Sequence, residues 1–130
     1  MKNPNKFYKQ LGNLFYAIAA ADKKIRPEER ESLSKEIQFS WKHYDESTDR
    51  FGSDRAFVIQ FEFDTMEEQF ETAEHAFESF EAYFSENQND IDEPTRKRIF
   101  NSARHIAESV RKINHPELEY LVRLKKLMSI

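Results

Sequence analysis

One pattern occurs twice in the chain and limits its possible folds more than any other feature. At an offset of 88 residues, residues 17–29 align without gaps with residues 105–117. Each copy predicts a helix, a basic turn with a buried Ile, and a second helix led by Pro and Glu. Continued to residue 33, the alignment keeps the identical pairs Ile18/Ile106, Ala19/Ala107, Lys24/Lys112, Ile25/Ile113, Glu29/Glu117, Glu31/Glu119 and Leu33/Leu121. The pattern indicates two related halves, near 5–43 and 95–130, in one domain spanning 1–130.

Composition favours helices in the rest of the chain as well. Two Gly and four Pro among 130 residues leave little material for hairpins, and helix-favouring Ala, Glu, Lys and Leu are frequent. The absence of Cys excludes a disulfide framework, a Cys-based zinc site and thiol catalysis. The longest uncharged run has 12 residues, whereas a membrane helix needs ~20. We therefore predict an all-α, compact bundle of about six helices, cytoplasmic and without membrane insertion.

Apolar residues at three- and four-residue spacing mark most of the helices. We expect a first helix at 5–21, a second from Pro27 through Trp41, a fourth at 72–87 capped by Thr72, and a fifth from Glu93. The sixth should start near His115, where Asn114 and Glu117 fit a capping box. The predicted buried seams are Phe70, Ala73, Phe77, Phe80 and Phe84 on the fourth helix, and Leu118, Leu121, Leu124 and Met128 on the sixth.

Residues 56–63 fit two patterns. Alternate apolar residues suggest a strand, but the apolar residues at 56, 59, 63, 66 and 70 also share one helical face. We prefer a third helix at 53–69, capped by Ser53 or Asp54, with a dimer-pairing strand as the alternative. A capping-box pattern at 65–68 leaves a helix boundary there open.

Charge and aromatic residues are unevenly distributed. Residues 56–95 contain 12 acidic residues and no Lys or Arg, whereas residues 96–130 contain nine Lys or Arg and three Glu. These segments either pack as neighbours or form an acidic face for a cation or a basic partner. The net charge of −4 argues against nucleic acid. Phe57 and Phe61 point away from the predicted buried face, so they either extend the core or form a partner or homodimer interface.

Residues 15–29, Phe-Tyr-Ala-Ile-Ala-Ala-Ala-Asp-Lys-Lys-Ile-Arg-Pro-Glu-Glu, resemble the signature of the tellurite-resistance TerB-like family, an Ala-rich helix ending in Ala-Asp-Gly before a hydrophobic residue and a Glu-led helix. The resemblance implies a compact all-helical domain with a second, similar half. It also implies a link to envelope and chemical-stress systems and a metal ion bound by acidic residues of the motif. Asp22, Ile25 and Glu29 match the motif. Lys23 replaces its Gly, and Val110 replaces the Asp of the second half.

Carboxylates near this turn are candidate ligands for a divalent cation. Hard cations need several oxygens converging at ~2.0–2.6 Å, and Asp22, Glu28 and Glu29 surround one turn. Further ligands would come from Asp64, Glu67 or Glu68. Structural roles explain the same residues, because Asp22 can accept backbone N–H bonds in the turn and Glu29 can fold back on its helix start.

No catalytic motif accompanies these features. The four His are scattered outside any Ser or Cys nucleophile context, and two Gly allow no phosphate-binding loop. We therefore predict a non-catalytic TerB-like helical interaction or scaffold module with a protein partner. The alternative is a divalent-metal-binding regulatory module that uses the Asp22/Glu29 turn.

Overall fold

The computed structural model describes residues 3–44, 55–110 and 112–130, and in these ranges every regular element is a helix. The α-helices are α1 Pro4–Ala19, α2 Pro27–Glu36, α3 Phe57–Glu68, α4 Ala73–Asn87, α5 Glu93–Glu108 and α6 His115–Met128. A π-helical turn, Ile37–Trp41, continues α2, and a 3-10 turn, Gln88–Asp90, continues α4. The predicted all-α class is confirmed. None of the described helices is long and apolar enough to cross a bilayer.

Helix α1 lies at the centre of the bundle, where it contacts α3, α4, α5 and α6. Its inward residues are fully buried: Phe7, Leu11, Leu14, Phe15 and Ile18. Gly12 lies where α1 packs directly against α3. A Cβ atom on Gly12 would stand 2.7 Å from the carbonyl oxygen of Ile59 and 2.8 Å from the Cβ of Glu62. The missing side chain therefore permits this close approach of the two helices.

The π-helical turn places Trp41, the single tryptophan, against α5. The wider turn contains a hydrogen bond of 2.8 Å from the Lys42 N–H to the Ile37 carbonyl. Trp41 is fully buried, and its indole N–H donates to the Ser102 hydroxyl at 3.0 Å. The Ser102 hydroxyl in turn donates to Oε1 of Glu36 at 2.7 Å. These bonds join α2 and its extension to α5.

Two helix starts predicted from capping residues are confirmed. The Thr72 hydroxyl accepts a hydrogen bond from the His75 N–H at 3.1 Å, and α4 begins directly after it. Asn114 and Glu117 form the predicted capping box at the start of α6. The cap predicted for α3 at residues 53–54 lies outside the described residues.

Residues 57–68 form a helix, so the strand alternative for this segment is wrong. The helix boundary left open near Thr65 is also wrong. The Thr65 hydroxyl donates to the Phe61 carbonyl at 2.9 Å, a bond made inside a continuing helix, and α3 ends only at Glu68. Contact with α1 along one side of α3 provides the burial that stabilises the helix.

Two residues predicted for the core are exposed instead. Phe70 is 91% exposed, because α4 begins only at Ala73 and Phe70 lies in the turn before it. Leu118 is 47% exposed, because Glu117 occupies the inward position in the first turn of α6. The remaining inward residues of α6 are Leu121, Leu124 and Met128, as predicted. Both errors arose where apolar spacing alone did not identify the inward face.

Candidate functional site

The starts of α2 and α6 each direct a Glu into the interior. Glu29 is the third residue of α2, and its Oε1 accepts a hydrogen bond of 2.9 Å from the Arg26 N–H. Glu117 is the third residue of α6, and its Oε1 accepts a bond of 3.0 Å from the Asn114 N–H. The two Glu residues also align with each other at the offset of 88 residues. Both helices thus use an equivalent side chain to satisfy a backbone donor at their start.

The carboxyl groups of Glu29 and Glu117 are both removed from water. Glu29 has no exposed surface, and Glu117 is 2% exposed. The two side chains are within hydrogen-bonding reach of each other, and Oε2 of Glu29 has no hydrogen-bond donor among the described residues. Two ionised carboxylates placed in this way would repel each other without solvation. A proton shared by the pair resolves this conflict, because the protonated carboxyl donates to the ionised one.

Burial is the main cause of the altered acidity of this pair. It raises the pKa of Glu29 from 4.5 to about 8, with a further rise from the adjacent Glu117 carboxyl. The Arg26 N–H and guanidinium oppose this rise in the Glu29 pKa. Burial also raises the pKa of Glu117, against the opposing hydrogen bond from the Asn114 N–H. The pair therefore retains a proton at neutral pH.

Asp22 connects the turn before α2 to the cap of α6. Its Oδ1 accepts a bond of 3.1 Å from the Lys24 N–H, which confirms the structural role predicted for Asp22. Its Oδ2 accepts a bond of 2.8 Å from the Asn114 side-chain amide and lies 2.8 Å from Nη1 of Arg26. Lys23, the residue after Asp22, has a φ of 70° in the left-handed region.

The five candidate metal ligands occupy different surroundings. Asp22 and Glu29 lie together, since the Arg26 guanidinium is close to both. Glu28 is exposed on the first turn of α2, and Glu68 is exposed at the end of α3. Asp64 accepts a bond of 3.0 Å from the Gln60 amide one turn earlier on α3. Across residues 3–44, 55–110 and 112–130, no three His, Asp or Glu side chains are grouped to hold a metal ion. Metal binding by this turn stays a prediction.

Sequence reasoning did not identify Glu117 as a site residue. The alignment of Glu29 with Glu117 was visible, but it did not indicate that the two side chains meet. The useful signal is that the same capping Glu occurs at the start of both aligned helices. If two such helix starts pack against each other, their capping carboxyls face each other as well.

Helix α3 presents an outward face that we call the α3 stripe. It consists of Phe57, Phe61, Asp64 and Glu68, which follow one another at four-, three- and four-residue spacing. Phe57 is 51% exposed and Phe61 is 73% exposed, so neither extends the core. The opposite side of α3 carries the fully buried Ile59 and Phe63. Glu68 is exposed and Asp64 is half-buried. The stripe is therefore an acidic and aromatic outward face of a helix whose opposite side is buried.

Comparison of the chain with protein-family models, with curated proteins and with solved structures found no match.

Proposed function

We propose that the chain is a non-catalytic, TerB-like helical interaction module that acts in an envelope or chemical-stress response. The observation that carries this proposal is the exposure of two Phe side chains one helical turn apart on α3. An apolar cluster on a solvent-exposed surface carries an unfavourable free energy of hydration unless a partner covers it. Aromatic side chains are enriched at protein interfaces for this reason.

The buried side of α3 supports a binding role for its outward side. Ile59 and Phe63 anchor the helix on α1, so Phe57 and Phe61 add nothing to core packing. The α3 stripe also contains Asp64 and Glu68, which provide polar contacts beside the rings. Apolar anchors beside charged groups are the usual arrangement of a protein-binding surface.

The absence of a catalytic role is supported by the position of the most perturbed acids. A strongly shifted carboxyl in a cleft is a candidate catalytic group. Glu29 and Glu117 are instead sealed inside the bundle, and their hydrogen bonds close helix starts. Because Glu29 has no exposed surface and Glu117 is 2% exposed, a substrate cannot reach either carboxyl group without a rearrangement of the bundle. The pair therefore has a structural role at the two helix starts, and we assign binding to the outer surface.

Site-specific photocrosslinking tests the proposed function. A photoreactive benzoyl-phenylalanine replaces Phe61 in the full chain, which is then irradiated in cells of its source organism. Phe39 provides a control of similar exposure, because it is 81% exposed and lies in the π-helical turn Ile37–Trp41 instead of on α3. We expect a discrete covalent adduct from position 61 and none from position 39. Equal labelling from both positions, or no adduct from position 61, would contradict the proposal.

A further inference from the structure

Helix α6 presents a second outward face, which we call the α6 stripe: Leu118, Val122, Lys125 and Lys126. Leu118 is 47% exposed and Val122 is 45% exposed. Both Lys side chains are exposed one turn further along the helix. The α6 stripe thus combines apolar side chains with positive charge, whereas the α3 stripe combines them with negative charge.

The two stripes have the same order along their helices. In each, two apolar residues at positions i and i+4 are followed by a charged residue at i+7. Side chains at this spacing share one face of a helix. If the two helices pack in parallel, apolar residues meet apolar residues and carboxylates meet ammonium groups. Antiparallel packing would instead place charged groups against apolar ones.

We infer that the α3 stripe of one copy of this chain docks in parallel on the α6 stripe of a second copy. This inference rests on the proposed function, because it names the partner of the same α3 face. Parallel pairing of α3 with α3 would bring Asp64 and Glu68 of both copies together, and like charges across an interface are unfavourable. Antiparallel pairing of α3 with α3 would instead set those carboxylates against the Phe rings. Pairing α3 with α6 places those carboxylates opposite Lys125 and Lys126.

The wider charge distribution favours the same pairing. Residues 56–95, which include α3, contain 12 acidic residues and no Lys or Arg. Residues 96–130, which include α6, contain nine Lys or Arg and three Glu. Opposite charges on the approaching segments steer two copies towards α3–α6 contact. Because the proposed contact is edged by charge, we expect the association to weaken as salt is added.

Charge reversal with sedimentation equilibrium tests the inference on the full chain. The first variant carries Asp64→Lys and Glu68→Lys, the second carries Lys125→Glu and Lys126→Glu, and the third carries all four changes. We expect the wild type to self-associate and each double variant to associate about tenfold or more weakly. The quadruple variant should recover the wild-type association, because its stripes are complementary again.

A charge-reversed pair elsewhere on the surface serves as the control. Glu93→Lys with Lys97→Glu exchanges an exposed ion pair on α5, whose atoms lie 3.2 Å apart, and should not alter self-association. Circular dichroism confirms that each variant is folded. A monomeric wild type at several hundred micromolar, or a quadruple variant that stays monomeric, would overturn the inference. If self-association fails in this way, the photocrosslinking at position 61 decides the proposed function separately. An adduct with a different protein would support the proposed function, whereas the absence of an adduct would refute it as well.

Discussion

Replacing Glu29 with Gln should stabilise the protein at neutral pH. A Gln side chain keeps an oxygen to accept the 2.9 Å bond from the Arg26 N–H. Its amide group stands where the shared proton lies and can donate to the Glu117 carboxylate at every pH. The substitution thus preserves both hydrogen bonds. It also removes a carboxyl group that must stay protonated at pH values above the ordinary pKa of a Glu.

The size and sign of this effect follow from the pKa of Glu29. Folding raises this pKa from 4.5 to about 8, so the folded state binds a proton that the unfolded chain releases. The associated stability is fully present below pH 4.5 and is lost as pH rises through about 8. At about 1.4 kcal/mol per pKa unit, the loss by pH 7 is at most about 3 kcal/mol. Glu29 is fully buried, so solvent screening does not reduce this value.

Urea unfolding at several pH values between 5 and 8 measures the predicted effect. The unfolding free energy of the wild type should fall as pH rises across this range, whereas that of Glu29→Gln should change less. The two curves should therefore separate increasingly towards pH 8. Glu28→Gln is the matched control, because Glu28 is exposed in the same first helical turn and its replacement should change stability little. Parallel curves for Glu29→Gln and wild type, or a less stable Glu29→Gln at pH 7, would refute the reasoning.

Three further predictions concern other parts of the molecule. Gly12→Ala should destabilise the fold by about 1–3 kcal/mol in urea unfolding, because its Cβ would stand 2.7 Å from the Ile59 carbonyl oxygen; unchanged stability would show that α1 and α3 separate freely. Ser102→Ala should lower the free energy of unfolding by about 1–3 kcal/mol, because it leaves the buried Trp41 N–H without its acceptor. Unchanged stability would contradict the role of Ser102 as that acceptor. Millimolar Ca²⁺, Mg²⁺, Mn²⁺ or Zn²⁺ should leave the Tm unchanged, because Asp22 is already paired with Arg26. A rise in Tm that Asp22→Asn abolishes would support the metal-binding alternative instead.

Local features of the fold were predictable from the sequence. Thr72 and Asn114 cap the helices for which they were predicted, because a cap depends only on residues within the next turn. Glu29 folds back on its helix start for the same reason. Phe70 and Leu118 were placed wrongly, because inward direction depends on where each helix begins and on what packs against it.

The central contact of the candidate site was beyond sequence reasoning. Glu29 and Glu117 each have a local explanation as capping residues, and neither explanation requires a partner. Their meeting depends on how α2 packs on α5 and how α6 packs on α1 and α5, which is fixed by long-range contacts. The hydrogen bond between Asp22 and Asn114 joins residues 92 positions apart and has no local signal either.

The shared proton between Glu29 and Glu117 is the central claim about how the two aligned helix starts are joined. Carbon-13 NMR titration of the two side-chain carboxyl carbons measures it most directly. We predict that Glu29 titrates near pH 8, and that titrating it also shifts the Glu117 signal because the proton is shared. Two independent titrations, both near the ordinary value of 4.5, would contradict the claim.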